Sequence, residues 1–372
     1  MILSRRQALL TPAALAALAA GVAMPTRARA ASPADRKFIF VFARGGWDPT
    51  RVFADGFDKR AVSMDEGAER GSVGGLAFVD HPDRPSVRSF FEANASRTVV
   101  LQGLLVRSIA HDICTRVSMT GTTSGSAPDW AAVIANSARD RYVLPHMVLA
   151  GPSFPGSLGV AVARTGSAGA LTADYATSLA HARELKDLQW RMDFGAGGTL
   201  ASQSAVAVDA LSLGVTRCVT LQANGGATGW DTHARNDEQQ SPLWEGLFAG
   251  LGQLQAMLEA APGTTQPTLA DETVVIVLSE MGRTPMLNAF LGKDHWPYTS
   301  AMVFGDGVVG GRNIGGWDEN WYGRTVDPAS GELCDDGAVL SSESLGATLF
   351  TLADLDPASV VSGVSAIEGM IA

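Results

Sequence analysis

The stretch that decides the fold is TVVIVLSEMGRTPMLNAFLGKDH, residues 273–295. It opens with an unbroken apolar run, Val274 to Leu278, made of β-branched and aliphatic residues. Such a run, bounded by polar and turn residues, is typical of a strand that is buried on both faces of a parallel sheet. The run stops at Ser279-Glu280, and Arg283, Asn288, Asp294 and His295 follow.

Ligand sites in open α/β sheets lie just beyond the carboxyl ends of the strands. The carboxylate of Glu280, the guanidinium of Arg283 and the Asp294-His295 pair therefore predict a functional site at this edge. A simpler alternative is a helix N-terminus, in which Glu280 would favour the helix dipole and Arg283 would be solvated.

Other apolar runs predict the remaining strands, at 37–42, 98–101, 147–151, 215–221 and 301–305. Helices are predicted at 85–95, 129–139, 175–192, 243–258 and 344–352. Residues 54–83 are expected to be irregular, and the glycine-dense residues 305–316 are expected to form a turn or hairpin. Without a repeat or a linker, residues 31–372 are predicted to form one α/β domain, with a parallel-rich central sheet and helices on both faces.

The amino terminus has the pattern of an export signal. Residues 4–10 read Ser-Arg-Arg-Gln-Ala-Leu-Leu, an apolar region follows that is short for a bilayer span, and Ala28-Arg29-Ala30 fits a cleavage site. We predict a twin-arginine signal peptide over 1–30, with the twin-arginine translocase as a partner. The mature protein would be periplasmic or extracellular after cleavage near Ala30. An ordinary secretory signal and an uncleaved anchor are the alternatives.

Composition narrows the choice of partners. The formal net charge is −10, and removing the first thirty residues, which hold four arginines and no acid, would make it −14. This balance disfavours nucleic acids and anionic membrane surfaces, because both require cationic patches. No later stretch is long and apolar enough to predict stable membrane insertion. Three cysteines without a CxxC spacing do not predict a disulfide framework.

Three further parts of the sequence carry side chains that can bind a metal ion or take part in catalysis. Asp48 follows Gly45-Gly46 at the end of the first predicted strand, and His111 stands where a helix is predicted to begin. Asp231 and His233 are separated by one residue, so both side chains can converge. Aspartate and histidine without thiolate suit zinc, manganese or iron. A turn residue at Asp48, a solvent-facing His111 beside a helix cap, and a loop held by an Asp-His hydrogen bond are the alternatives.

Taken in order, these motifs resemble a known family. The set runs Gly-Gly-x-Asp, a His before Thr-Gly, Gly-x-Asp-Thr-His, Ser-Glu-x-Gly-Arg-Thr, then Asn and Asp-His. It resembles the bacterial twin-arginine-exported family of domain of unknown function fifteen hundred and one, which is sulfatase-like and grouped with the alkaline phosphatase superfamily. The resemblance runs from about Phe38 to the carboxyl terminus. It implies an alkaline-phosphatase-like fold with a two-metal site at the strand ends.

The resemblance also implies roles for individual residues. One or two divalent ions, zinc or manganese, would be bound by Asp48, Asp231, His233, Glu280, Asp294 and His295. Arg283 would clamp an anion. His111 stands where the superfamily places a nucleophilic Ser, Thr or formylglycine-forming Cys, so it would attack, shuttle a proton or bind metal. Cys114 is nearby, but the sulfatase pattern Cys-x-Pro-x-Arg is absent.

Two functions follow from this interpretation. The first is an exported metal-dependent hydrolase that acts on a small anionic substrate, a phosphate or sulfate ester. The alternative is a non-catalytic periplasmic or surface binding protein that retains the fold.

Overall fold

The computed structural model of the chain describes residues 31–165, 171–173, 198–223 and 229–372. The predicted signal peptide and the helix predicted over 175–192 lie outside the described residues.

Thirteen strands are present in the described part of the chain. They are β1 Lys37–Ala43, β2 Glu69–Val73, β3 Leu76–Asp80, β4 Thr98–Leu105, β5 His146–Val148, β6 Val162–Thr165, β7 Leu171–Ala173, β8 Cys218–Ala223, β9 Thr273–Leu278, β10 Gly282–Arg283, β11 His295–Trp296, β12 Tyr298–Gly305 and β13 Arg312–Gly315. Nine of them form one sheet in the order β13-β4-β12-β9-β1-β8-β5-β6-β7. The pairs β4/β13, β1/β9, β1/β8, β5/β8 and β5/β6 are parallel, whereas β12 runs antiparallel to β4 and β9, and β7 to β6. The predicted parallel-rich sheet is confirmed.

The centre of the sheet is the strand pair that the sequence marks most clearly. Phe38 of β1 lies between Cys218 of β8 and Val274 of β9. Every residue of β1 and β9 is buried. Successive side chains of a strand face opposite sides, so an unbroken apolar run supplies both faces of the sheet at once.

Helices cover both faces, as predicted. They are α1 Pro85–Asn94, α2 His111–Thr120, α3 Trp130–Asn136, α4 Leu200–Ser212, α5 Asn236–Ala260 and α6 Ser342–Leu352. Apolar residues of α1, α4 and α5 pack with Ile39 and Val41 on one face, while those of α2, α3 and α6 pack with Phe38 and Phe40 on the other. In the described part of the chain, no helix combines the length and apolarity needed to cross a membrane.

One local prediction is wrong: residues 54–83 are not wholly irregular, because β2 and β3 form an antiparallel hairpin there. The glycine-dense residues 305–316 contain the predicted turn at 306–307 but no hairpin, since β13 pairs in parallel with β4. The alternative for the polar residues after β9 does not hold, because they do not begin a helix: Gly282 and Arg283 form β10, which pairs with Trp296 and His295 of β11.

Candidate metal centre

The connections that follow β1 and β9 meet the turn 229–233 at one edge of the sheet. Gly45 makes this approach possible: a Cβ there would come within 2.6 Å of the backbone nitrogens of Trp230 and Asp231, and its φ is +125°. Only glycine adopts this conformation without strain. The Gly45 N–H also donates to Glu280 Oε1 at 2.7 Å, so the ends of the two strands and the Asp231 turn are held together.

Three side-chain atoms converge at this edge. His233 Nε2 lies 3.0 Å from His295 Nε2 and 3.1 Å from Asp231 Oδ1. His295 Nε2 lies 3.2 Å from the same Asp231 oxygen. The three atoms therefore form a triangle with nearly equal sides. With metal–nitrogen bonds of about 2.0–2.1 Å, ligands of one tetrahedral ion stand roughly 3.0–3.5 Å apart, which this triangle matches.

The partners of the other ring nitrogens fix the tautomers of these two histidines. His233 Nδ1 lies 2.9 Å from Asp294 Oδ1, and His295 Nδ1 lies 2.7 Å from the carbonyl oxygen of Ile109. Both partners are acceptors, so each ring donates from Nδ1 and, when neutral, presents a lone pair at Nε2. Two imidazole lone pairs and a carboxylate oxygen then face one another, an arrangement that a proton or a bound cation would stabilise. Histidines that bind metal are oriented by this kind of hydrogen bond.

His111 lies beside the triangle, on the other oxygen of the same carboxylate. Its Nδ1 is 2.9 Å from Glu280 Oε1, and its Nε2 is 3.4 Å from Asp231 Oδ2. This Nε2 is buried and has no well-aligned hydrogen bond among the described residues. The carboxylates of Asp231 and Glu280 raise the pKa of His111 to about 9, although burial opposes the shift. Donor atoms of His111, Asp231 and His295 all lie within 4.8 Å of one another.

Arg283 contacts Asp231 from the buried side of the cluster, which differs from its predicted role of binding an anion. Its side chain is fully buried, and it donates to backbone carbonyls of Gly45, Gly46, Trp230 and Lys293. It also donates to Asp231 Oδ1 at 2.6 Å. With these bonds made, the guanidinium has no free edge for an anion, so its placement is that of a support for Asp231.

Asp48, predicted as a metal ligand, lies in a separate buried network. Its Oδ1 accepts from the backbone and hydroxyl of Thr50, and its Oδ2 accepts from Arg51, Asn236 and Lys293. Burial alone would raise the pKa of Asp48, but Lys293 and Arg51 outweigh it and lower the pKa. Both carboxylate oxygens are satisfied by protein groups, so the structure offers no coordination at Asp48.

Two further predicted ligands orient the histidines instead. Asp294 accepts from His233 Nδ1, and Asn288 Nδ2 donates to both Asp294 Oδ1 at 3.3 Å and the His233 carbonyl at 3.1 Å. Glu280 accepts from His111 Nδ1 and from Gly45. Sequence reasoning missed Ile109, because its contribution is a backbone carbonyl that no residue pattern marks.

Cys114 is excluded as the reacting group by its surroundings. It is buried and packs with Val106 and Met281. Burial raises the pKa of its thiol to about 11. The thiol therefore stays protonated near neutral pH and is a poor nucleophile.

The arrangement defines an α/β protein with a histidine–aspartate cluster at the carboxyl edge of its sheet. Residues 195–362 match the model of the family described as "Protein of unknown function (DUF1501)". This match agrees with the resemblance that the ordered motifs predicted, and it spans Asp231, His233, Glu280, Arg283 and His295. Among curated proteins, none matches this chain in sequence.

Solved structures give fold-level matches over most of the chain. The lipoteichoic acid synthase LtaP from Listeria monocytogenes matches at a TM-score of 0.48 and 8% identity, covering 93% of this chain and 80% of that one. A protein in the alkaline phosphatase superfamily from Vibrio parahaemolyticus matches at 0.45 and 10%, covering 88% and 69%. The phosphonate monoester hydrolase of Agrobacterium radiobacter matches at 0.43 and 11%, covering 90% and 77%. At these identities the similarity is one of fold and assigns no residue a role.

Proposed function

We propose that the chain is a metal-dependent ester hydrolase whose ion is held by Asp231, His233 and His295. The observation that carries the proposal is the convergence of two Nε2 lone pairs and one carboxylate oxygen within 3.2 Å. Nitrogen and carboxylate donors without thiolate suit zinc or manganese. One ion is proposed rather than two, because Asp48 is satisfied within the protein. Export by the twin-arginine route is part of the proposal and rests on residues 4–30.

A divalent ion in this position would polarise an ester oxygen and lower the pKa of a bound water. The chain's own residues supply its position and its electrostatic surroundings. Asp231 remains ionised because burial, which raises its pKa, is outweighed by the neighbouring His111 and Arg283, which lower it. Asp294 and the Ile109 carbonyl hold the two imidazoles in the tautomer that presents Nε2.

His111 is proposed as the proton donor to the leaving oxygen. Glu280 fixes its ring through Nδ1, so a proton carried on Nε2 lies beside the cluster. Among the described residues, none of the hydroxyl or thiol groups hydrogen-bonds to His111, Asp231, His233 or His295. Direct attack by water is therefore favoured over a serine, threonine or cysteine intermediate.

The anionic part of the substrate needs a cation other than Arg283. Arg44 is exposed, and its carbonyl accepts from Trp230 N at 3.2 Å, next to Asp231. Within the described residues, its guanidinium makes no ion pair and no hydrogen bond. We assign Arg44 the role of anion contact in this proposal.

The test is hydrolysis by the full chain after loading with zinc or manganese. We expect release of 4-nitrophenol from the aryl phosphate or the aryl sulfate. His111→Gln should lower kcat by about 10²–10⁴-fold, the usual contribution of a proton donor. It should leave the metal content unchanged, because the three ligands remain.

His81→Gln is the matched control, since His81 lies in a loop where it pairs with the Glu66 carbonyl, outside the cluster. It should retain both metal and activity. Metal-loaded protein that hydrolyses neither ester, in the wild type as in His111→Gln, would contradict the hydrolase and favour the binding protein.

A further inference from the structure

Large apolar side chains are exposed on the two segments that flank the cluster. Eleven large apolar residues are exposed among the described residues, and five of them fall within 109–113 and 286–291. These five, called the apolar rim, are Ile109, Ile113, Met286, Phe290 and Leu291. Scattered exposed apolar residues are ordinary. Their concentration on two short segments beside a candidate site is not.

The first segment contacts the cluster through Ile109. Its carbonyl oxygen accepts from His295 Nδ1 at 2.7 Å, while its side chain is 55% exposed. Ile113 lies in the first turn of α2, which begins at His111, and is 45% exposed. The segment therefore presents a second exposed apolar side chain four residues after the residue that contacts His295.

The second segment packs on the other ligand, His233. Leu291 pairs with Ala234, and Asn288 Nδ2 donates to the His233 carbonyl. Phe290 is 73% exposed and Leu291 is 62% exposed. Each segment therefore contacts one of the two histidines, whose Nε2 atoms are 3.0 Å apart.

The backbone of the second segment is strained in a way that presents its side chains. Leu291 has a φ of +56°, a conformation that L side chains rarely adopt. Such strain persists only when the surrounding contacts enforce it, and it concentrates at functional sites. Here the amide of Asn236 donates to the Leu291 carbonyl at 2.8 Å, which fixes the turn with the leucine outward.

We propose that the substrate of this site carries an apolar chain beside its anionic head, and that the apolar rim binds that chain. The position of the rim supports the choice, because a substrate whose ester lies at the cluster would place an attached apolar chain against the two flanking segments. The inference rests on the proposed function for the ester bond, but the binding of the chain can be measured without turnover.

The experiment titrates the zinc-loaded full chain with n-alkylphosphonates from methyl to octyl by calorimetry. These probes keep one anionic head and lengthen only the chain. Burial of one methylene contributes about 0.8 kcal/mol, which converts to a roughly three- to fourfold lower Kd per added carbon. We expect this slope over the first carbons and a plateau once the rim is covered.

Variants locate the binding surface. Phe290→Ser and Ile113→Ser should flatten the chain-length slope while leaving the affinity for methylphosphonate within about twofold. Val360→Ser removes an exposed apolar residue outside the two segments and should keep the wild-type slope.

Four results would overturn the inference. They are equal affinity for every chain length, no binding of any phosphonate, a dimer by light scattering that Phe290→Ser dissociates, and rim-dependent sedimentation with phosphatidylcholine vesicles but no binding of monomeric octylphosphonate. A chain-length slope without ester hydrolysis would contradict the proposed function alone. Hydrolysis without a slope would contradict the rim alone.

Discussion

At the scale of one residue, the fold keeps the carboxylate of Asp231 ionised and fixed in direction. Its carboxylate accepts a hydrogen bond from Arg283 Nη2 at 2.6 Å. The Nε2 atoms of His111, His233 and His295 each lie within 3.4 Å of a carboxylate oxygen. Such charge-assisted bonds are about twice as strong as neutral ones. The fully buried guanidinium cannot turn away to solvent, so Asp231 keeps its direction whether or not an ion is bound.

His146 allows a prediction about pH that is separate from the site. It is fully buried in β5, with Nε2 2.8 Å from Thr220 Oγ1, and burial lowers its pKa to about 3. The unfolded chain binds the proton with a pKa of about 6.5, so this residue's stabilising effect is present above pH 6.5 and is lost as pH falls towards 3.

We expect His146→Gln to remove this dependence. Between pH 6 and 4, the difference in unfolding free energy between wild type and variant should change by about 1.4 kcal/mol per pH unit. Denaturant unfolding at several pH values measures it, with His81→Gln as the control for loss of a histidine. Parallel profiles for wild type and His146→Gln would show that His146 does not carry the effect.

Sequence reasoning at this scale identified residue types better than their contacts. Asp231, His233 and His295 were proposed as ligands, and the structure brings their donor atoms together. Asp48, Glu280 and Arg283 stand equally close to strand ends in the sequence. Their roles depend on whether neighbouring groups already satisfy them, and two of those groups, Lys293 beside Asp48 and the Gly45 carbonyl beside Arg283, come from positions that no motif encodes.

At the scale of elements, the segment 284–294 contacts the two candidate ligand histidines. It leaves β10 and returns at β11, and Asn288 ties it to His233. Gly292 lies directly against the ligand turn, since a Cβ there would come 2.0 Å from the carbonyl carbon and oxygen of His233. A methyl group at residue 292 would therefore collide with the backbone of His233, which cannot move aside as a flexible side chain could.

We therefore expect Gly292→Ala to displace this segment and weaken zinc affinity by at least about tenfold, the lower range for loss of a histidine's supporting contact. The loop lies at the edge of the sheet, so the unfolding free energy should change less than the metal affinity does. Isothermal titration with zinc and chemical denaturation measure the two quantities.

Gly246→Ala is the matched control, because it lies in α5 with no atom within 4 Å of its Cβ position and should leave zinc affinity unchanged. Wild-type zinc affinity in Gly292→Ala would contradict the role given to this segment.

Elements with strong apolar periodicity could be predicted from the sequence, and those formed by pairing could not. β1, β9 and β12 were predicted because each is a long apolar run. The hairpin β2–β3 was missed because its strand Glu69–Val73 is mostly exposed and polar. Such a strand lacks the alternation of apolar and polar residues by which a half-buried strand is recognised. β10 has two residues and exists through its pairing with β11, a contact that no local pattern specifies.

At the scale of the whole molecule, the acidic chain buries several of its charged side chains. Lys293 is fully buried, and burial lowers its pKa to about 8, although Asp48 at 2.8 Å opposes the shift. Breaking such a buried pair by removing one partner typically costs about 3–5 kcal/mol. This network adjoins Asp294 and His295 in sequence, so the packed interior and the candidate metal centre share one segment.

The cluster and the apolar rim lie on the same edge of the sheet, formed by the connections that leave its central strands. The interior of the sheet fixes where these connections begin, and the connections carry the chemistry. A fold of this kind tolerates change in the connections, which explains why its strands were easier to predict than its site.

Metal content tests the central claim most directly. The full chain, dialysed against zinc and then freed of excess ion, should retain about one zinc per chain by mass spectrometry. At a hundredfold excess of free zinc over Kd, the unfolding free energy should rise by about 2.7 kcal/mol. His233→Ala with His295→Ala should lose both the zinc and the added stability, while His81→Ala should keep them. A wild-type chain without zinc, or a double variant that still holds one zinc per chain, would contradict the account.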